Sequence, residues 1–366
     1  MIIKNVTIIN PERTINNADI FVENNTIMDI KEKEGQGDFY LVPGFIDTHI
    51  HGIYNMDVMD GTAELSKISK KLAKLGTTSF MPTAMTNDWE ILKNSLSKMA
   101  KNKKWYSRNL GFHLEGPFIS TEKKGAHKTE FLKQANKTNL NQLIKASESN
   151  LKKLSFDPKM VSLKMLKEIQ DKEIIASIGH SAVDLKTAQK YFANGCYSIC
   201  HLWNAMSGID SRNPGLLQAA LMDQNSYVEM IFDLVHISEQ TIKFTTQIKD
   251  INKIIAVSDA IKPAYYKDGD SVSGGLEITK KAKLITLKNT KTIAGSGIVI
   301  HDAFINLVKI GYSLNDAIKI CSTNSAKYLK LDNLGQIEKG FLADFVILDK
   351  NNLKIKEVYI DGKKVK

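Results

Sequence analysis

The chain has 366 residues, 43% apolar and 25% charged, which is enough for a sizeable core and too long for one small domain. No apolar run is long enough to span a bilayer. The opening MIIKNVTIIN alternates like a strand rather than a signal peptide, and three scattered cysteines (Cys196, Cys200, Cys321) make no disulfide framework. The expectation is a cytoplasmic protein without a membrane partner. The net charge of +10 comes from lysines spread along the chain, against only three arginines (Arg13, Arg108, Arg212). With no aromatic-interleaved basic motif, nucleic acid is not an expected partner either.

In chain order, residues 2–9 alternate as a strand and 20–30 continue as strand and turn. The tail behaves alike in ADFVILD (343–349) and EVYIDGKKV (357–365). One small β domain built from both ends, residues 1–43 and 334–366, accounts for this and is expected as a β-sandwich. Between them, strands near 45–49, 77–81, 110–114, 154–156, 174–179, 197–200, 227–232 and 254–258 alternate with amphipathic helices near 62–75, 88–101, 158–172 and 185–194. Eight such units predict an α/β (β/α)8 barrel over residues 44–333, with its chemistry at the carboxyl ends of the strands. Residues 266–294 break the alternation and read as an inserted hairpin. Residues 301–311 and 314–330 return to helix.

LVPGFIDTHIHG (41–52) opens the barrel. On a strand, Asp47, His49 and His51 share one face, and Ile46, Thr48 and Ile50 the other. Strand three ends at His113 and Glu115, strand five at His180 and strand six at His201. Asp233 and His236 follow strand seven, and Asp259 ends strand eight. A single histidine is more often a satisfied core or surface residue than a ligand, and Asp259 in Ser-Asp-Ala also suits a helix cap. The joint placement at one end of a barrel points to a metal site. His180, His201 and a carboxylate suit a borderline divalent ion, His49 and His51 suit a second, and Asp259 is placed to carry a proton. If His201 faces inward, Cys200 and Cys196 are expected to face the outer helices.

The series PGFIDTHIHG, HLEGPF (113–118), KKGAH (123–127), GHS (179–181), HLWNAM (201–206), VSDA (257–260) and TIAGS (292–296) resembles that of the N-acetylglucosamine-6-phosphate deacetylase family, within the amidohydrolase superfamily. The resemblance covers nearly the whole chain, including LGQIEKGFLADFVILD (334–349). It implies that Glu115, His180 and His201 hold the main metal, and that Asp259 is general base, then general acid, and also touches the metal. Members with a His-x-His pair, here His49 and His51, hold a second ion. One or two divalent ions per subunit are therefore implied, chosen from Zn, Fe, Mn and Co. Glu115 replaces the carbamylated lysine of other amidohydrolases. The family's Ala-Pro-Glu is here Phe156-Asp157-Pro158, which bears on substrate fit.

From the residues alone, His127 in its Lys- and Gly-rich loop reads as a surface histidine. The resemblance instead assigns it to the N-acetyl end of the sugar. It assigns Asn204 and Ala205 to the ligand, and Arg212 and His236 to the phosphate. Arg212 stands out because arginine is scarce here and its planar fork suits a phosphate. The implied activity removes acetate from N-acetylglucosamine 6-phosphate by attack of hydroxide on the amide, and the implied assembly is a homodimer. Two alternatives stand: an amidohydrolase acting on another amide, such as N-acetylgalactosamine 6-phosphate or a cyclic imide, and a non-enzymatic metal-binding barrel. His301 is expected near a helix start without a catalytic role.

Overall fold

The structure is a computed structural model that describes all residues, Met1–Lys366. Eight parallel strands form a nearly closed barrel: Phe45–Ile50, Thr77–Met85, Phe112–Glu115, Leu151–Phe156, Ile175–Ile178, Ser198–Ile199, Tyr227–Ile231 and Ile254–Val257. Strands one and eight meet at a bridge between Ile50 and Ala260. There His51 N donates to the Ala260 carbonyl at 2.8 Å and Asp259 N to the His49 carbonyl at 2.9 Å. Barrel closure therefore fixes the backbone of both histidines against that of the aspartate.

The helices follow their apolar spacing. Leu65, Ile68 and Leu72 line the buried face of Thr62–Lys74, and Leu92, Leu96 and Met99 that of Trp89–Lys101, where Asp88 caps the free N–H groups of Glu90 and Ile91. The helix expected from Pro158 begins at Leu163 instead. Ser162 caps it by accepting from Met165 N, while Asp157 takes the Lys159 N–H into a preceding turn. A single apolar cluster of 68 buried residues joins these helices to the outer face of the barrel. At the amino end of the strands, Tyr328 packs against Tyr197 and Tyr227, below a small interior cluster with Ile231, Ile255 and Val257.

A second, mixed sheet of seven strands combines the two chain ends, with Phe39–Pro43 between Ile2–Ile9 and Phe345–Leu348. It has its own core of 14 residues. The Asn10 side chain exchanges two hydrogen bonds with the Ile337 backbone, tying the termini together, and Arg108 reaches from the barrel to Asp344 and Asp361 at 3.0 and 2.7 Å. The insertion is a three-stranded antiparallel sheet, Gly269–Ser273, Leu276–Lys281 and Leu284–Leu287. No helix is long and apolar enough to cross a membrane.

Candidate active site

The carboxyl ends of the strands surround a cavity of about 400 Å3 whose walls include Glu115, His127, His180, His201, His236 and Asp259. His180, His201 and Asp259 have left-handed backbone (φ 48°, 28° and 48°), a conformation uncommon outside glycine. Each strand has ended two residues earlier, so the chain turns at these residues as they enter the site. Gly125, also left-handed, lies so close to His180 that a Cβ there would stand 3.2 Å from its ring. Gly295 seats residues 292–295 against strand eight's end, where a Cβ would meet Ile261 at 2.6 Å.

Two groups of ligand atoms share this space. Glu115 Oε1 lies 3.0 Å from Nε2 of both His180 and His201, and those two nitrogens are 3.0 Å apart. His49 and His51 meet at 3.1 Å through Nε2, and both face Asp259 Oδ1, at 3.5 and 3.3 Å. Glu115 stands between the groups, with His49 at 3.5 Å and His51 at 3.3 Å. His180 Nδ1 donates to the Lys123 carbonyl at 2.9 Å and His51 Nδ1 to that of Thr83 at 3.0 Å, which leaves their Nε2 atoms as lone pairs.

Lone pairs and carboxylate oxygens converging this closely repel one another unless a cation lies among them. The donor set, mixed imidazole and carboxylate, therefore fits a divalent metal. In the metal-free protein ring N–H groups take the cation's place: burial works to raise the Glu115 carboxyl, but the charge of His49 and hydrogen bonds from His127, His180 and His201 hold it well below the usual carboxylate range. In that same metal-free state Asp259 is shifted the same way: burial opposes, and a hydrogen bond from a His51 ring N–H and the charge of His49 prevail. Asp259 is not a helix cap.

His127 is buried, 2% exposed, not on the surface. Its Nε2 faces Glu115 Oε2 at 3.5 Å and its Nδ1 has no partner. Burial pushes it down to about 4, so it is neutral at pH 7. Asn204 and Ala205 line the cavity, and the Asn204 amide donates back to the His201 and Leu202 carbonyls. His236 gives its Nδ1–H to Asp233 at 2.7 Å, leaving its other ring nitrogen for a ligand. Arg212 is exposed on the loop after strand six and does not line the cavity. His113 lies beneath the site with both nitrogens engaged, at Thr83 Oγ1 and Ser155 Oγ. His301 bonds the Leu353 carbonyl and stacks on Phe45, away from the cavity.

Two readings of facing are corrected. Cys200 does not face the helices: its Sγ lies 3.6 Å from His49 Nδ1, inside the barrel. The strand ends at Ile199, and the left-handed turn at His201 brings two consecutive residues inward. On strand one the register shifts between Asp47 and Ile50, so that Thr48 and His49 both reach Glu229 inside the barrel, while Asp47 accepts from the backbone of Ser258 and His49. Sequence reasoning missed Lys153 and Glu229. The signal was charge inside two barrel strands, the pair Lys152-Lys153 in LKKLSF and the lone glutamate in YVEMI.

The match to the amidohydrolase family spans residues 40–365. The chain belongs to that family. The N-acetylglucosamine-6-phosphate deacetylase of Lysinibacillus sphaericus is 29% identical, over 96% of this chain and 95% of the relative. The N-acetylgalactosamine-6-phosphate deacetylase of Escherichia coli O157:H7 is 28% identical over 88% of this chain and 86% of its own length. The crystal structure of the N-acetylglucosamine-6-phosphate deacetylase from Thermotoga maritima superposes with a TM-score of 0.91 at 30% identity, covering 100% of this chain and 99% of the other.

Proposed function

We propose that this amidohydrolase removes the acetyl group from N-acetylglucosamine 6-phosphate, giving glucosamine 6-phosphate and acetate. The observation that carries this reading is the meeting of Glu115, His180, His201 and Asp259 in one cavity that also holds His127 and His236. Glu115, His180 and His201 hold the main divalent metal, and His49 and His51 a second, with Asp259 at their edge. Such an ion supplies a Lewis acid that polarises the amide carbonyl and acidifies a water.

The chain's own residues do the rest. Asp259 takes the proton from the attacking water and returns it to the amide nitrogen as the C–N bond breaks. His127, neutral and desolvated, offers a ring N–H to the carbonyl oxygen as negative charge builds there. Asn204 and Ala205 hold the sugar, and His236, oriented by Asp233, meets the phosphate. Arg212, exposed in the single chain, meets the phosphate at a contact between two copies. A homodimer is supported by exposed Met222, Phe244 and Ile248 on two adjacent helices, with Ile209 and Leu234 on the flanking loops. A soluble cytoplasmic enzyme accords with three free, buried cysteines.

The near-equal identity to a galactosamine-type relative supports a second reading, N-acetylgalactosamine 6-phosphate as the substrate. The test is acetate release by metal-loaded protein from both sugar phosphates and from unphosphorylated N-acetylglucosamine. The expected order puts N-acetylglucosamine 6-phosphate first and the unphosphorylated sugar far behind. Preference for the galacto ester would exchange the two readings, and no release from any would sink both.

A further inference from the structure

Beneath the cavity lies a charged group that the reaction as described does not touch. Lys153 on strand four and Glu229 on strand seven are fully buried and ion-paired. Thr48 Oγ1 donates to the same carboxylate oxygen, Oε1, at 2.8 Å, and Lys153 Nζ also lies 3.4 Å from the Thr48 carbonyl. The other oxygen, Oε2, is buried without a hydrogen-bond partner and faces His49 Nδ1 at 3.8 Å. Desolvating two charges is costly, and an apolar pair of similar size would pack there without that cost. The charges call for a reason beyond packing.

We infer that the Glu229–Lys153 pair is the positioning device for His49, and that it thereby controls whether the second metal position fills. The inference rests on the reading of His49 and His51 as metal ligands. Its logic is the placement of one hydrogen. His49 Nε2 faces His51, Asp259 and Glu115, so it serves a cation only as a lone pair. Nδ1 must then carry the hydrogen, and a buried N–H left without an acceptor is unfavourable. Lys153 and Thr48 both donate to Oε1, which leaves Oε2 as the carboxylate acceptor aimed at Nδ1. At 3.8 Å this is an electrostatic contact rather than a formed hydrogen bond. The ammonium of Lys153 balances the carboxylate's charge and holds its orientation. Thr48, next to His49 in the chain, ties the bulged strand to the same group. Cys200 Sγ is the other neighbour of Nδ1 and the rival for this role.

Glu229→Gln separates them. The amide oxygen must stay at the Oε1 position to accept from Lys153 and Thr48, so the NH2 falls at Oε2 and donor faces donor. Protein stripped of metal, reloaded with Zn2+ and counted by elemental analysis should hold about two ions per chain in the wild type and about one in E229Q. The paired variant Lys153→Met with Glu229→Met leaves no lone buried charge and should also hold one, which keeps the test decisive if E229Q folds poorly. Cys200→Ala should keep two. Two ions in E229Q or in the paired variant would overturn the inference, as would a drop to one in C200A alone. A wild-type count of one would remove the second position itself, and with it both the ligand reading and the inference.

Discussion

The two ends of the barrel are made by the same eight strands and finish in opposite ways. At the amino end, Tyr328 sits against Tyr197 and Tyr227, and its hydroxyl meets Ser198 at 2.7 Å, with Ser177 completing the chain of hydrogen bonds. At the carboxyl end, three residues take left-handed backbone and lone pairs converge on one another. One end closes on aromatic packing and a chain of hydroxyls; the other stores strain and unbalanced charge. Such features persist only where the surrounding structure over-determines them, and in this fold that end is the chemical one. The lesson is that stability and reactivity are separable along the barrel axis.

That separation can be broken or sharpened by substitution. The largest effect should come from Asp259→Asn, which lowers acetate release by roughly a hundredfold to ten-thousandfold by removing the proton carrier. A variant as active as the wild type would remove Asp259 from the mechanism. His127→Gln should cost roughly a hundredfold in kcat with little change in KM, because the donor acts on charge that develops only during reaction. An equal loss confined to KM would make His127 a binding group only.

The same residue gives a pH signature in metal-free protein. His127 titrates near 6.5 when unfolded and at about 4 when folded, so the unfolded state binds the proton first as pH falls. Its contribution is lost between pH 6.5 and 4, by up to about 3 kcal/mol. Denaturation of wild type and H127Q across this window should show the wild type falling more steeply. Parallel curves would contradict the buried neutral histidine.

Smaller effects follow at the edges of the comparison. His236→Ala should raise KM for the phosphorylated sugar by roughly tenfold and leave turnover of the unphosphorylated sugar unchanged. Equal changes on both would detach His236 from the phosphate. Tyr328→Phe, at the opposite end, should cost about 1 kcal/mol of stability for the lost hydrogen bond and nothing in kcat. A fall in kcat would show that the two ends are coupled after all.

Much of this was legible in the chain. Apolar runs of four to eight residues alternating with amphipathic helices specify eight barrel strands, because burial on both faces requires that pattern. The polar residues that follow those runs reach one end by topology alone, which placed Glu115, His180, His201 and Asp259 together before any distance was known. Facing was less legible. Period-two alternation predicts an outward Cys200 and an outward Thr48, and both point inward, because a left-handed turn and a strand bulge are decided by neighbouring strands. His127 reads as a loop residue in sequence and is buried only because its loop folds over the site.

The sequence by itself determined the fold class, the order of the elements and the inventory of ligand types, since these depend on local periodicity and on which side chains can hold a metal. The tertiary structure alone decided which nitrogen of each histidine is free, that Arg212 stands outside the cavity of its own chain, and that Lys153, Glu229 and Thr48 meet beneath His49. These are contacts between residues as many as 181 positions apart, and no local pattern encodes the geometry of such an encounter.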